Sequence, residues 1–216
     1  MAITLNEIKK ELVNLFRNSN VISIGTRGVT TKEDTGTFDG ASSHTVSTSP
    51  TQIKNIRSIV IATKTLSWGK DYTLAFSTGK ITFISAQTGA YTITYDYGTT
   101  DRIFPDYPQP NLKLNQFPRI AIDIISSVSN EFGIGAATTE STYTISIICY
   151  SKSQEDIEDM ISSIKTTLMT NKKTLHYSAF ITPTDIGPLL ISEFGERKVF
   201  QRNQDAQVKF SFDTIW

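Results

Sequence analysis

LSWGKDYTLAFSTGKITFISAQTGAYTITYDYG, residues 66–98, carries seven aromatic and four charged side chains in thirty-three positions. Tyr91, Ile93, Tyr95 and Tyr97 fall on one side of a two-residue period, and Thr92, Thr94 and Asp96 on the other. That alternation is the signature of a β-strand over 90–98 with one apolar face. Lys80–Ser85 reads as a second strand. Ser77-Thr78-Gly79 and Gln87-Thr88-Gly89 supply turn residues between strands. With IRSIVIAT (56–63) as a further strand, residues 53–98 are predicted to form a small antiparallel meander with its tyrosines along one face.

Upstream, residues 4–17 place Leu5, Ile8, Leu12, Leu15 and Phe16 on one face of a 3.6-residue period, with Lys9, Lys10 and Asn14 opposite. Thr4 followed by Glu7 has the spacing of a capping box. The helix is expected to pack on a sheet, since its polar face is not strongly basic. Val21–Gly25 is compatible with a short strand. Residues 26–50, rich in Thr, Ser, Gly and Asp, predict a long loop or a loosely held pair of strands.

Downstream, residues 99–115 hold three prolines without periodicity and read as a linker or an extended arm. Strands are expected at 117–126 and 143–150, separated by a glycine-bearing loop at 132–139. Ile157, Met160, Ile161, Ile164 and Leu168 stripe a helix over 154–169, with Ser153 and Asp156 in capping positions. A strand at 176–182, a turn at 186–190 and a strand pair or single bent strand at 198–213 complete the reading. The fold class is therefore α+β: a mostly antiparallel sheet covered on one face by two helices, with an inserted β-meander. Residues 1–25 and 116–216 form the body, 26–100 a β-rich insertion, and 101–115 a proline-containing linker or arm.

Lys plus Arg and Asp plus Glu are both 21, so the net charge is zero. That balance argues against a strongly basic nucleic-acid-binding surface. A charged fraction of only 19% gives a polar, weakly repulsive surface suited to an assembly subunit. Cys149 is the single cysteine, so no intramolecular disulfide can form, and its apolar run TISIICY makes it a core residue. The first residues lack the apolar core of a signal peptide, and no apolar run is long enough to span a membrane.

Catalytic signals are sparse. His44 reads as a solvated loop residue and His176 as the opening of a strand; neither has a nucleophile and an acid at recognisable spacing. Glu155, Asp156, Glu158 and Asp159 sit where acids complement a helix dipole, which explains them better than a magnesium site does. Gly133-Ile134-Gly135 lacks the third glycine and the strand–turn–helix setting of a dinucleotide site. No catalytic, cofactor-binding or metal-ligating residue is assigned, and no cofactor is expected.

Two segments carry a family resemblance. GKDYTLAFSTGKITFISAQTGAYTITYDYG (69–98) resembles a strand-turn-strand pattern of structural proteins of tailed viruses of bacteria and archaea, through Asp71, Tyr72, Gly79, Ile81, Phe83, Ala86, Gly89, Ile93, Tyr95 and Tyr97. FPRIAIDIISS (117–127) and STYTISIICYSKSQEDIEDMISSIKTTLM (141–169) look like the strand–strand–helix body of neck and tail-completion proteins, with Phe117 where tyrosine is common and Pro118, Arg119 and Ile120 continuing the pattern. The resemblance implies a non-catalytic tail terminator or head–tail joining subunit of the virion, assembled in the host cytoplasm. It also implies a ring, hexameric by family likeness, that meets the tail tube and the head–tail connector. It implies neither membrane nor sequence-specific nucleic acid as partner. Trp68, Tyr72, Tyr91, Tyr95, Tyr97, Phe104, Tyr107, Phe117 and Arg119 are the candidate interface residues, because large aromatic side chains combine contact area with a polar tip. The alternatives are a peripheral virion module that binds a surface or carbohydrate through the aromatic face, and a hydrolase built around His176.

Overall fold

The computed structural model describes residues 5–46, 52–105, 117–131, 138–173, 175, 180–194 and 197–213. The chain divides into two compact units, Met1–Ile22 with Arg102–Trp216, and Ser23–Asp101. The fold is α+β, with sheets that are mostly antiparallel. The sequence expectations that fall on Thr4, Tyr107, the 132–137 glycine stretch and His176 lie outside the described residues.

In the first unit, helix α1 (Leu5–Asn18) buries Ile8, Leu12, Val13 and Phe16. The other long helix, Gln154–Thr170, is capped by Ser153, whose side chain accepts from the Asp156 amide. Its stripe Ile157, Met160, Ile161, Ile164 and Leu168 is buried as the periodicity requires. Both helices share one hydrophobic cluster with Ile120, Ile122, Ile145, Ile147, Cys149, Ile181, Ala206 and Val208 of the strands. Each fully buried aliphatic side chain there stabilises the unit by roughly 1.5–3 kcal/mol relative to leaving it in water. Burial also raises the Cys149 thiol pKa, so this cysteine serves as a core residue.

The second unit opens with a helix where a strand was expected. Ser23 caps α2 (Ile24–Arg27), and Gly28 ends it in the left-handed conformation. The Ser23 hydroxyl satisfies an amide that an extended Val21–Gly25 would leave to solvent. The 26–50 stretch, expected as a long loop or a loosely held pair of strands, holds a single sixteen-residue strand, β1 (Thr30–Thr45), paired with β5 (Lys80–Gly98). Its many threonines fit a pleated, half-exposed surface, where β-branching is favourable. β5 also pairs with β2 (Gln52–Ile61) and β4 (Tyr72–Ala75), and β3 (Lys64–Thr65) pairs with β2. No hairpin turn interrupts β5 at Gln87-Thr88-Gly89. The two strands expected there are one, with register irregularities in β1 around Ala41 and a positive φ of 114° at Gly89.

Those irregularities make a corner. Asp34 and His44 lie ten residues apart on β1, a span of about 33 Å in an extended strand. Yet His44 Nε2 is 2.7 Å from Asp34 Oδ2. β1 therefore doubles back, and β5 bends with it, because Ile93 pairs with Asp34 and Ile81 with His44. Ile81 and Phe83 of one arm then join Ile93 and Tyr95 of the other in one cluster, with Phe38, Ile53, Ile56, Ile59, Ile61, Leu66 and Tyr72. His44 is consequently a half-buried strand residue in hydrogen-bond contact with Asp34, not a solvated loop histidine.

Asp96 points away from this cluster, on the opposite parity of β5, and is fully buried. Arg27 Nη1 donates to it at 3.2 Å, Arg57 Nε at 2.6 Å and the Thr31 hydroxyl at 2.7 Å. Arg27 also reaches Asp101 at 3.3 Å. Removing one member strands buried charge on the others. Asp96→Ala is expected to destabilise the second unit by about 3–5 kcal/mol, measured as a lowered urea midpoint reported by Trp68 fluorescence in a Trp216→Phe background. An unchanged midpoint would show that the network carries no net stability.

Candidate interaction surface

The remaining strands of the first unit form a sheet in the order β10-β11-β8-β7-β6. Here β6 is Ile103–Phe104, β7 Arg119–Glu131, β8 Thr138–Ser151, β9 Phe180–Ile186, β10 Leu190–Phe194 and β11 Arg197–Asp213. The second helix of that unit, Gln154–Thr170, is α3. β9 and β10 both pair with β11, so the 198–213 segment is one long strand and not a pair. Residues 103–104, expected within a linker, run parallel to β7 opposite Ile120 and Ala121, and Ile103 is buried. The Arg17 guanidinium on α1 holds the Ile103 carbonyl at 3.0 Å. Two residues with no periodicity carry no strand signal, and only that tertiary contact defines them.

β7 and β8 run beyond the expected 117–126 and 143–150, pairing as far as Glu131 with Thr139. On its other side β7 pairs only with β6 among the described residues. From Ile122 to Glu131 that edge has no strand partner among the described residues. Residues 125–130, ISSVSN, are all exposed and uncharged, and Ile125 and Val128 are more than half exposed. The opposite edge, β9 and β10, also exposes Ile186, Leu190 and Ile191. Soluble proteins usually blunt such edges with charge, proline or cover.

The nine candidate residues separate into two sets, with Tyr107 outside the described residues. Tyr72 and Tyr95 are in the core of the second unit, and Trp68, Tyr91 and Tyr97 pack against it. Tyr91 stacks on Phe38 with ring centroids 4.0 Å apart, and the His44 ring tilts toward both. Gly36 faces Tyr91 in the register; a Cβ there would lie 2.8 Å from the phenol oxygen. Burial raises the Tyr91, Tyr95 and Tyr72 pKa values, with Asp34 adding to the first two and Asp71 to the last. The tyrosine face is thus a packing face.

Phe104, Phe117 and Arg119 come together in the first unit. Phe117, Ala121, Ile148, Tyr150 and Val199 form a small cluster on strand positions alternate to the main core. The Arg119 guanidinium carbon stands 3.9 Å from the centre of the Phe104 ring, and the Phe117 and Tyr150 rings are 6.4 Å apart. Burial lowers the Arg119 pKa; Tyr150 opposes that shift and Arg102 adds to it. Sequence reading singled out Arg119 but missed Ile125, Val128, Leu190 and Ile191, because exposure at an edge leaves no periodic mark.

His44 Nε2 is engaged by Asp34, and among the described residues no three His, Cys, Asp or Glu side chains converge as metal ligands would. The helix-start acids are partly engaged in the fold: Asp156 accepts from the Ser151 hydroxyl, and Glu158 pairs with Arg202. No described helix is long and apolar enough to cross a membrane. No protein family and no curated protein matches the chain.

Around Trp68 the backbone is held by Asp71, which accepts from Lys64 Nζ and from the Ser67 amide, both at 2.8 Å. The Lys64 hydrogen bond, then the Ser67 amide, lower the Asp71 pKa from the ordinary 3.8. A depressed carboxylate contributes stability above its unfolded pKa and loses it as pH falls through the folded one. The Ser67 amide resonance is therefore expected to titrate with a midpoint below 3.8. A midpoint at or above that value would show that the Asp71 contacts are absent in solution.

Proposed function

We propose that this chain is a non-catalytic structural subunit of a tailed-virus virion that associates with copies of itself into a ring at the neck or at the top of the tail tube. The observation that carries the reading is the β7 edge, which has no strand partner beyond β6 among the described residues and exposes Ile125 and Val128 on a stretch free of charge. The β9/β10 edge of the same sheet bears Ile186, Leu190 and Ile191. Two different exposed edges on one sheet suit a heterologous, head-to-tail contact, which closes into a ring when the rotation per subunit allows. Closure covers both edges and removes an aggregation hazard.

In this reading α1 and α3 lie on one face of the first unit's sheet, and that body forms the ring. The shared cluster of helix and strand residues supports the first point. The zero net charge supports close packing of like subunits. The reading of an exposed aromatic sugar-binding face gains no support, since Tyr72 and Tyr95 are buried.

Native mass spectrometry across micromolar concentrations is expected to show a closed species, at about 144 kDa for six copies of the 24.0 kDa chain. Ile125→Lys with Val128→Lys is expected to return it to monomer with little change in Tm, because both side chains are exposed. A ring that survives the double substitution would remove β7 from the interface. A strict monomer at all concentrations would sink the self-sufficient ring.

A further inference from the structure

We propose that Arg119 is the centre of an oxyanion-binding site on the first unit, taking a carboxylate or phosphate group. Arg119 is only 8% exposed, and its Nε is buried with no hydrogen-bond acceptor. No carboxylate among the described residues lies within ion-pair distance of it. The other buried arginines are differently placed: Arg27 meets Asp96 and Asp101, and Arg17 holds the Ile103 carbonyl. A guanidinium carries five N–H donors and no acceptor, and burying it without a counter-charge is costly.

The surroundings orient the charge without neutralising it. Phe104 presents its ring face at 3.9 Å, which favours the cation but accepts no in-plane N–H bond. Contact with the ring leaves the guanidinium N–H groups as donors for a planar or tetrahedral oxyanion. Phe117 and Tyr150 bound the site and lower its dielectric. A desolvated cation held by aromatic packing is stabilised by an anion at its N–H groups.

The oxyanion has two possible sources, a free ion or an acidic side chain of a second copy, and the test separates them. Thermal unfolding is followed at constant ionic strength while chloride is replaced by inorganic phosphate or by acetate. A free-anion site raises the wild-type Tm saturably, by roughly 5–10 °C at a hundredfold excess over Kd, and moves the Arg119 Nε–Hε resonance. Arg119→Met, which keeps the stem packing, abolishes both responses, whereas Arg119→Lys retains a weakened one. If neither ion has an effect, an intersubunit carboxylate requires that Arg119→Met dissolve the self-associated species seen by native mass and that Arg119→Lys partly preserve it. Equal Tm responses in wild type and Arg119→Met, or no ion response together with unaltered association, would overturn the site. A monomer that binds phosphate would sink the ring and leave this site standing.

Discussion

One buried carboxylate organises the second unit. Asp96 sits on the central strand β5, level with Thr31 of β1 and Asn55 of β2, and takes hydrogen bonds from Arg27, Arg57 and Thr31. Those donors belong to α2, β2 and β1, so three elements are referred to one residue. A buried anion tolerates few arrangements, because a donor that moves away leaves charge in a low-dielectric site. Apolar packing is more permissive, since many combinations of side chains fill a volume. The Asp96 network therefore fixes which strands flank β5, while the tyrosine side of the sheet supplies the buried area.

The same strand shows where sequence reasoning stopped. Alternation over 90–98 was fully legible, and Tyr95 and Ile93 are buried as that period requires. The Gln87-Thr88-Gly89 stretch has the composition of a turn, yet the chain bends there without reversing. A glycine in a positive-φ conformation serves a hairpin and a strand corner equally well. What separates the two is the partner strand: β1 carries matching irregularities at Phe38–Ser43 and follows the bend. Local composition does not encode that pairing. The threonine-rich 26–50 stretch, read as a long loop or a loosely held pair of strands, was left undecided for a related reason: its outward side chains give no apolar alternation, although β1 pairs with β5 on both sides of its irregularities.

The first unit was more legible because its core is written in long periods. The stripes of α1 and α3 and the alternation Ile145, Ile147, Cys149 all point into one cluster. The illegible parts are short or exposed. β6 is two residues defined by contacts with Ile120 and Arg17, and Ile125 and Val128 leave no pattern because neither face of that stretch is buried. Arg119 was visible as a residue, but its burial beside Phe104 was not, since Phe104 reaches it through the β6 pairing opposite Ala121.

Two kinds of incompleteness thus coexist on the first unit, and they differ in what they demand. An open strand edge asks for main-chain partners and accepts almost any extended segment, so it supplies adhesion with little specificity. A buried guanidinium asks for one oxyanion in a fixed plane, so it supplies selectivity with a small contact area. Edges such as β7 and β9/β10 aggregate indiscriminately unless something sets geometry and register. A stacked, desolvated Arg119 next to the start of β7 is the type of element able to do that, because a misplaced neighbour would leave its charge uncompensated. Association driven by edges and disciplined by one charge would tolerate the low charge density of the rest of the surface without losing its choice of partner.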